Sequence, residues 1–364
     1  MLKSILFMLL ICAEFHLLSN YSLIKQEIIS FEDEDSDCHG SSLIEIEPGI
    51  LLAVWKAGAG KGLVNYDIRH NISIWCSRCV NGVWSNPEKI AQSDDSLFWT
   101  PTLIKMPSGE IDLFYRLGSY PWQCVGIVKR SFDNGTTWSE EEVLPAGILG
   151  PIRSKPQMDQ EGRLIFGSSL ESGSSEEPFK AAACWIDALS RDGNNWTKYG
   201  PIAIPGQPFG VIEPVLFRDR EGNLRLFCRD RSKKLGQHGW IRTATSYDHG
   251  RTWSELKKTD LPNPDSGMEI VELGKGGLLL FYNHSHEHRF PLDLALSTDG
   301  GDSWTSVMTL ETDSGEFPSA IQASDGTIHV IYTWKQSGKT QRVIKYSVLS
   351  IQTQHATQFA SWFE

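Results

Sequence analysis

The 364-residue chain predicts an all-β, six-bladed β-propeller built from four-stranded antiparallel blades. Two internal repeats in a common register carry that expectation. A third observation supports it: apolar residues with helical spacing are nearly absent, while short alternating apolar runs recur along the whole chain.

The first repeat is the box S-x-D-x-G-x-x-W. It stands intact at Ser131, Asp133, Gly135 and Trp138, again at Ser246, Asp248, Gly250 and Trp253, and again at Ser297, Asp299, Gly301 and Trp304. Two degenerate copies fill the gaps. Ser77 to Trp84 puts Cys79 and Asn81 where Asp and Gly belong, and Ser190 to Trp196 is one residue short. The box is read as a folding device between the third and fourth strands of a blade. Asp and Ser bond nearby amides, Gly supplies positive φ, and Trp packs the turn down.

The second repeat lies upstream of each box. Hairpins of alternating apolar residues turn at Gly49, Gly109, Gly162, Gly222, Gly276 and Gly326, and six turns imply six blades. After the last hairpin a third strand, Arg342 to Ser350, has no box behind it. A strand from the amino end, Lys25 to Phe31, is therefore expected to complete the sixth blade and close the ring. The acidic run from Glu32 to Asp37 reads as a solvated loop.

Lys3 followed by the mostly apolar stretch Ile5 to Leu18 predicts a signal peptide over residues 1–20 and a single propeller domain over 21–364. Secretion is the expectation, with no membrane insertion beyond that segment. Sequons at Asn71, Asn134, Asn195 and Asn283 agree with a secretory route, and six cysteines beyond the leader predict one or more disulfides. The lone pair Cys76 and Cys79 has no second ligand pair at metal-site spacing, so neither a metal nor another cofactor is expected. A net charge of −11 excludes a general nucleic-acid surface, because polyanion binding needs a basic footprint.

In a propeller the loops at one end of each innermost strand converge on the central axis. Polar residues at those positions are His39 and Asp67 in blade one, Tyr115 and Arg116 in blade two, and Arg153 and Lys155 in blade three. Blade four contributes Glu213, Arg229 and Arg231, blade five Asn283, His284 and Arg289, and blade six Tyr332 and Trp334. Arginines gathered at one point of an acidic protein suit a ligand carboxylate.

The boxes and intervening hairpins resemble the sialidase (neuraminidase) superfamily and its BNR-repeat, or Asp-box, relatives over nearly all of the chain. The stretch Ile212-Glu213-Pro214 with Gly222 and Arg229 is similar to the family segment bearing a catalytic glutamate and the second carboxylate-binding arginine. Arg289 resembles the third such arginine, and Asp67 sits near the family's acid/base aspartate. In two places this chain departs from the family pattern. Cys38-His39-Gly40 stands where the family's first arginine lies, and Glu316-Phe317-Pro318-Ser319 stands where its nucleophilic tyrosine opens the sixth inner strand.

The resemblance implies a glycosidase releasing a terminal acidic sugar, with Glu213 and Asp67 moving protons and Arg229 and Arg289 clamping the carboxylate. The departures open two alternatives. One is elimination at a uronate, with His39 as base beside Tyr115, Arg116 and Arg153; the other is a lectin-like propeller that binds an acidic glycan without cutting it.

Overall fold

The structure is a computed structural model and describes residues 19–31, 36–59, 72–93, 96–174, 176–177, 179–207, 209–231, 236–336 and 338–353. Six antiparallel sheets succeed one another along the chain, and in each the first strand of the blade is innermost. The inner strands are Ser36–Glu47, Phe98–Lys105, Gln157–Met158, Val211–Arg218, Glu269–Glu272 and Glu316–Gln322 for blades one to six. All six expected turn glycines join an inner strand to the next one, each with positive φ.

Strand alternation divides every blade between two interfaces. In blade one, Leu43 packs toward blade six while its neighbour Ile44 packs toward blade two. The outcome among the described residues is six apolar clusters, one between each adjacent pair of blades, in place of a single central core. That arrangement leaves the axis free for polar residues.

The boxes fall between third and fourth strands, as expected. Ser131 Oγ donates to Asp133 at 2.8 Å and accepts from Gly135 N at 2.7 Å, and Asp133 takes Thr137 N at 2.8 Å. The same ties recur at Ser246/Gly250 and Ser297/Gly301, both 2.8 Å. Each box tryptophan reaches the interface with the preceding blade: Trp84 the six–one cluster, Trp138 one–two, Trp196 two–three, Trp253 three–four and Trp304 four–five. Blade six has no box, and Tyr21 from the closing strand packs into the remaining five–six cluster.

That closing strand is Ser19–Ile28, paired antiparallel with Val343–Thr353. It begins six residues before the expected Lys25, because Tyr21 supplies an apolar anchor that the surrounding polar residues mask in the sequence. The expected leader, residues 1–20, lies outside the described residues except for Ser19 and Asn20, which belong to this strand. Among the described residues no helix is long and apolar enough to cross a membrane.

Three sequence expectations change. The cysteines Cys38, Cys76, Cys79, Cys124, Cys184 and Cys228 are all free thiols, and Cys76 and Cys79 sit in different interface clusters because residues three apart face opposite sides of a strand. Asn283 is fully buried, its amide donating to Pro291 O and Gly315 O, so it is no glycan acceptor; Asn195 is exposed, and Asn71 lies outside the described residues. Asp37, read as part of a solvated loop, is 4% exposed and holds Arg342 with both oxygens, at 2.9 and 2.6 Å.

Candidate active site

Counting back nine residues from each turn glycine gives Gly40, Thr100, Arg153, Glu213, Gly267 and Phe317. Five of them adopt a left-handed backbone, with φ between 45° and 62°. All but Arg153 and Gly267 lie within inner strands, where the ladder register slips next to them. Four of the residues are not glycine, and strain of this kind marks functional positions. In the four blades where the register slips, the bulge turns the residue out of the ladder, and Gly40, Arg153, Glu213, Gly267 and Phe317 converge on one another. A Cβ placed on Gly267 would meet Phe317 Cδ1 at 2.6 Å, Arg153 Nε at 3.0 Å and Glu213 Oε2 at 3.2 Å. One placed on Gly40 would lie 4.0 Å from Arg153 Nη1.

Phe317 forms the floor. Its ring lies under three guanidinium groups, those of Arg153 at 4.7 Å, Arg289 at 4.9 Å and Arg229 at 5.4 Å, and His39 meets it edge to face at 4.6 Å. Both of its neighbours in the ring of six, Gly267 and Gly40, lack side chains, which makes room for the phenyl group.

A connected chain of charges surrounds this floor. Glu213 Oε1 accepts from Arg229 Nη2 at 3.0 Å, and Arg229 Nη1 donates to the Asp265 carbonyl at 2.8 Å. Arg289 Nη2 donates to that same carbonyl at 2.9 Å, and its Nη1 to Glu316 Oε2 at 2.7 Å. The other Glu316 oxygen lies 3.7 Å from Arg342 Nη1, and Arg342 is anchored on Asp37. On the blade two–three side, Glu171 lies between Arg116 at 3.7 Å and Arg231 at 3.0 Å. With Lys56, which approaches the Trp99 ring, the named groups are seven cations against five carboxylates. An acidic protein thus carries a net positive centre.

Burial alone would raise the Glu213 carboxyl, but Arg229 and then Arg153 outweigh it and hold the group below the ordinary carboxylate value. Glu213 is therefore a carboxylate at neutral pH. Its Oε2 and Arg153 Nε are both buried, have no hydrogen-bond partner among the described residues and stand 3.7 Å apart, so each can serve a third group. His39 is driven well below its usual value by burial first, then by Arg342 and Lys56, so it is neutral.

Of the sequence-derived residues, Glu213, Arg229, Arg289, Arg153 and His39 share this one basin, and Arg116 and Arg231 border it. Asp67 lies outside the described residues. Tyr115 is a correction. It is fully buried in the blade one–two core with its phenol donating to Glu141 at 2.5 Å, because adjacent residues of a strand face opposite ways and Arg116 takes the side toward Glu171 of blade three. Tyr332 is likewise packed away, bonded to Glu311 at 2.6 Å, and Asn283 and His284 bond within blade five. Missed in the sequence were Asp37, Lys56, Glu171, Asp265, Glu316 and Arg342. The nine-residue spacing would have found the ring of six, though not these partners.

Fold and site together define a six-bladed propeller with a cationic, aromatic-floored axial basin. The BNR repeat-like domain family matches residues 49–330, and the chain belongs to that family. No curated protein matches it by sequence. Among solved structures, it is similar to a protein of unknown function from Dyadobacter fermentans at 18% identity and TM-score 0.75, covering 92% of this chain and all of that one. It is also similar to NanB sialidase from Streptococcus pneumoniae, at 13% identity and TM-score 0.71 over 89% of this chain and 71% of that one. The intramolecular trans-sialidase of Ruminococcus gnavus shares 15% identity at TM-score 0.63, over 91% and 96% of the two chains. These likenesses establish a sialidase-like propeller fold.

Proposed function

We propose that the protein is a secreted carbohydrate-active enzyme that receives a terminal acidic sugar of a glycan in the axial basin and hydrolyses its glycosidic bond. One observation carries this reading: Arg229, Arg289 and Arg342 stand in sequence along the basin, linked through the Asp265 carbonyl and Glu316, with Arg229 and Arg289 over the Phe317 ring. Guanidinium groups so arranged match a carboxylate, and the phenyl floor matches the apolar face of a sugar ring.

Phe317 offers no hydroxyl for a covalent intermediate, so water is the nucleophile in this reading. Glu213, kept ionised by Arg229 and Arg153, takes the proton from water as it attacks the anomeric carbon; Asp67 gives a proton to the departing oxygen. The bond between anomeric carbon and leaving oxygen breaks, and the free acidic sugar departs.

A second reading is favoured by the neutral state of His39. An uncharged imidazole beside Arg342 is suited to remove the proton alpha to a uronate carboxylate while arginine neutralises the developing charge. Mass spectrometry of products from mixed sialylated and uronate-containing glycans separates the readings. A free acidic sugar, absent with Arg229→Ala, supports hydrolysis; an unsaturated uronic product supports elimination. Arg229-dependent retention without any product identifies a binding protein.

A further inference from the structure

Arg229, Arg289 and Arg342 each meet a carboxylate, but the pairings are unequal. Arg229 is shared between Glu213 and Asp265, and Arg342 is held by both oxygens of Asp37. Arg289 is the most open of the three, with its side chain 41% exposed, and among the described residues its one carboxylate partner is Glu316. Glu316 in turn lies between three groups: Arg289 Nη1 at 2.7 Å, Arg342 Nη1 at 3.7 Å and His39 Nδ1 at 3.9 Å. A protein carboxylate therefore already sits in the slot where Arg289 and Arg342 converge.

We infer that Glu316 is the resident occupant of a carboxylate slot formed by Arg289 and Arg342, and that an incoming ligand carboxylate must displace it to bind. This deepens the reading of the basin as an acidic-sugar site and rests on it. Two anions cannot share one pair of guanidinium groups without mutual repulsion, so Glu316 lowers affinity for every carboxylate and favours ligands whose remaining contacts offset its removal. Simple carboxylates are turned away, and sugars that also engage the Phe317 floor and Glu213 are admitted. Glu316 opens the inner strand of blade six and its side chain is 14% exposed, so it can turn toward solvent without disturbing the blade core.

Glu316→Gln tests the inference, because it keeps shape and acceptor capacity and removes only the charge. Binding of acetate, N-acetylneuraminic acid and glucuronic acid would be followed by NMR and calorimetry, with the two sugar methyl esters as uncharged controls. The expected result is that Gln binds all three carboxylates about tenfold tighter than the wild type while the esters are unaffected. Equal or weaker carboxylate binding by Gln would show that Glu316 merely positions the arginines and would overturn the proposal. Tighter acetate binding with no sugar bound by either protein would sustain the slot and remove the acidic-sugar reading. Glu316→Ala serves as a second variant, and thermal unfolding confirms that each is folded.

Discussion

Arg229 and Arg289, on different blades, donate to the same acceptor, the carbonyl oxygen of Asp265, at 2.8 and 2.9 Å. Asp265 has φ of 61°, a left-handed conformation that a non-glycine residue adopts at a cost, and this loop residue links the two guanidinium groups. Their spacing is thus set by the backbone, independent of either side chain's carboxylate partner.

Replacing Arg229 by Met should abolish the clamp without displacing Arg289, whose bond to the carbonyl survives. Affinity for a carboxylated sugar is expected to fall by roughly 100-fold. Among the described residues Glu213 would keep Arg153 as its one ion-pair partner, so stability should drop by about 3–5 kcal/mol, the usual consequence of breaking a buried pair from one side. Calorimetry and urea unfolding read the two effects separately.

Phe317→Tyr introduces a hydroxyl at the floor with guanidinium groups around it. The ring is already accommodated, so stability should change by no more than about 1 kcal/mol. A 2,3-difluorinated acidic sugar is expected to leave the wild type unmodified and to add covalently to the tyrosine variant, visible as an increase in intact mass. Labelling of the wild type would refute direct attack by water.

Gly267→Ala places a methyl group 2.6 Å from the Phe317 ring and 3.0 Å from Arg153 Nε. The ring has to tilt or the loop has to shift, at about 1–3 kcal/mol. Because Arg153, Arg229 and Arg289 all rest on that ring, ligand affinity should fall by more than the stability loss accounts for. Retention of full affinity would mean that the floor does not align the arginines.

His39 ties stability to pH. The folded protein keeps the imidazole neutral, while the unfolded chain takes up a proton below about 6.5. Stability from this group is therefore complete above that pH and declines as pH falls below it. His329, lowered by burial, acts in the same sense, whereas Asp112, pushed up by burial to about 7, acts in the opposite one. The variant His39→Gln isolates the contribution. Between about pH 7.5 and 5.5 its melting temperature should fall less than that of the wild type.

The blades were legible in the sequence because their determinants are local. A turn glycine needs positive φ, a box serine and aspartate bond amides within four residues, and alternation assigns each strand face. Glu213, Arg229 and Arg289 were legible through family resemblance. Tyr115 was misassigned because the sequence shows that residues 115 and 116 end the second strand of blade two but not which of them turns into the blade one–two core and which toward Glu171 of blade three. Asp37 and Arg342 escaped because they lie 305 positions apart and meet only when the ring closes. An acidic run next to a strand resembles solvated surface until its partner arrives from the far end of the chain.

The nine-residue interval between an axial position and its turn glycine makes the basin separable from the scaffold that carries it. At five of the six positions direction comes from a left-handed backbone torsion, at four of them with a bulge beside it, while the interface clusters hold the blade independently of the side chain that stands there. In effect the site is written as a six-letter word, here G-T-R-E-G-F, and an engineer could respell its side-chain-bearing letters one at a time, while Gly267, already crowded by Phe317 and Arg153, has to stay as it is.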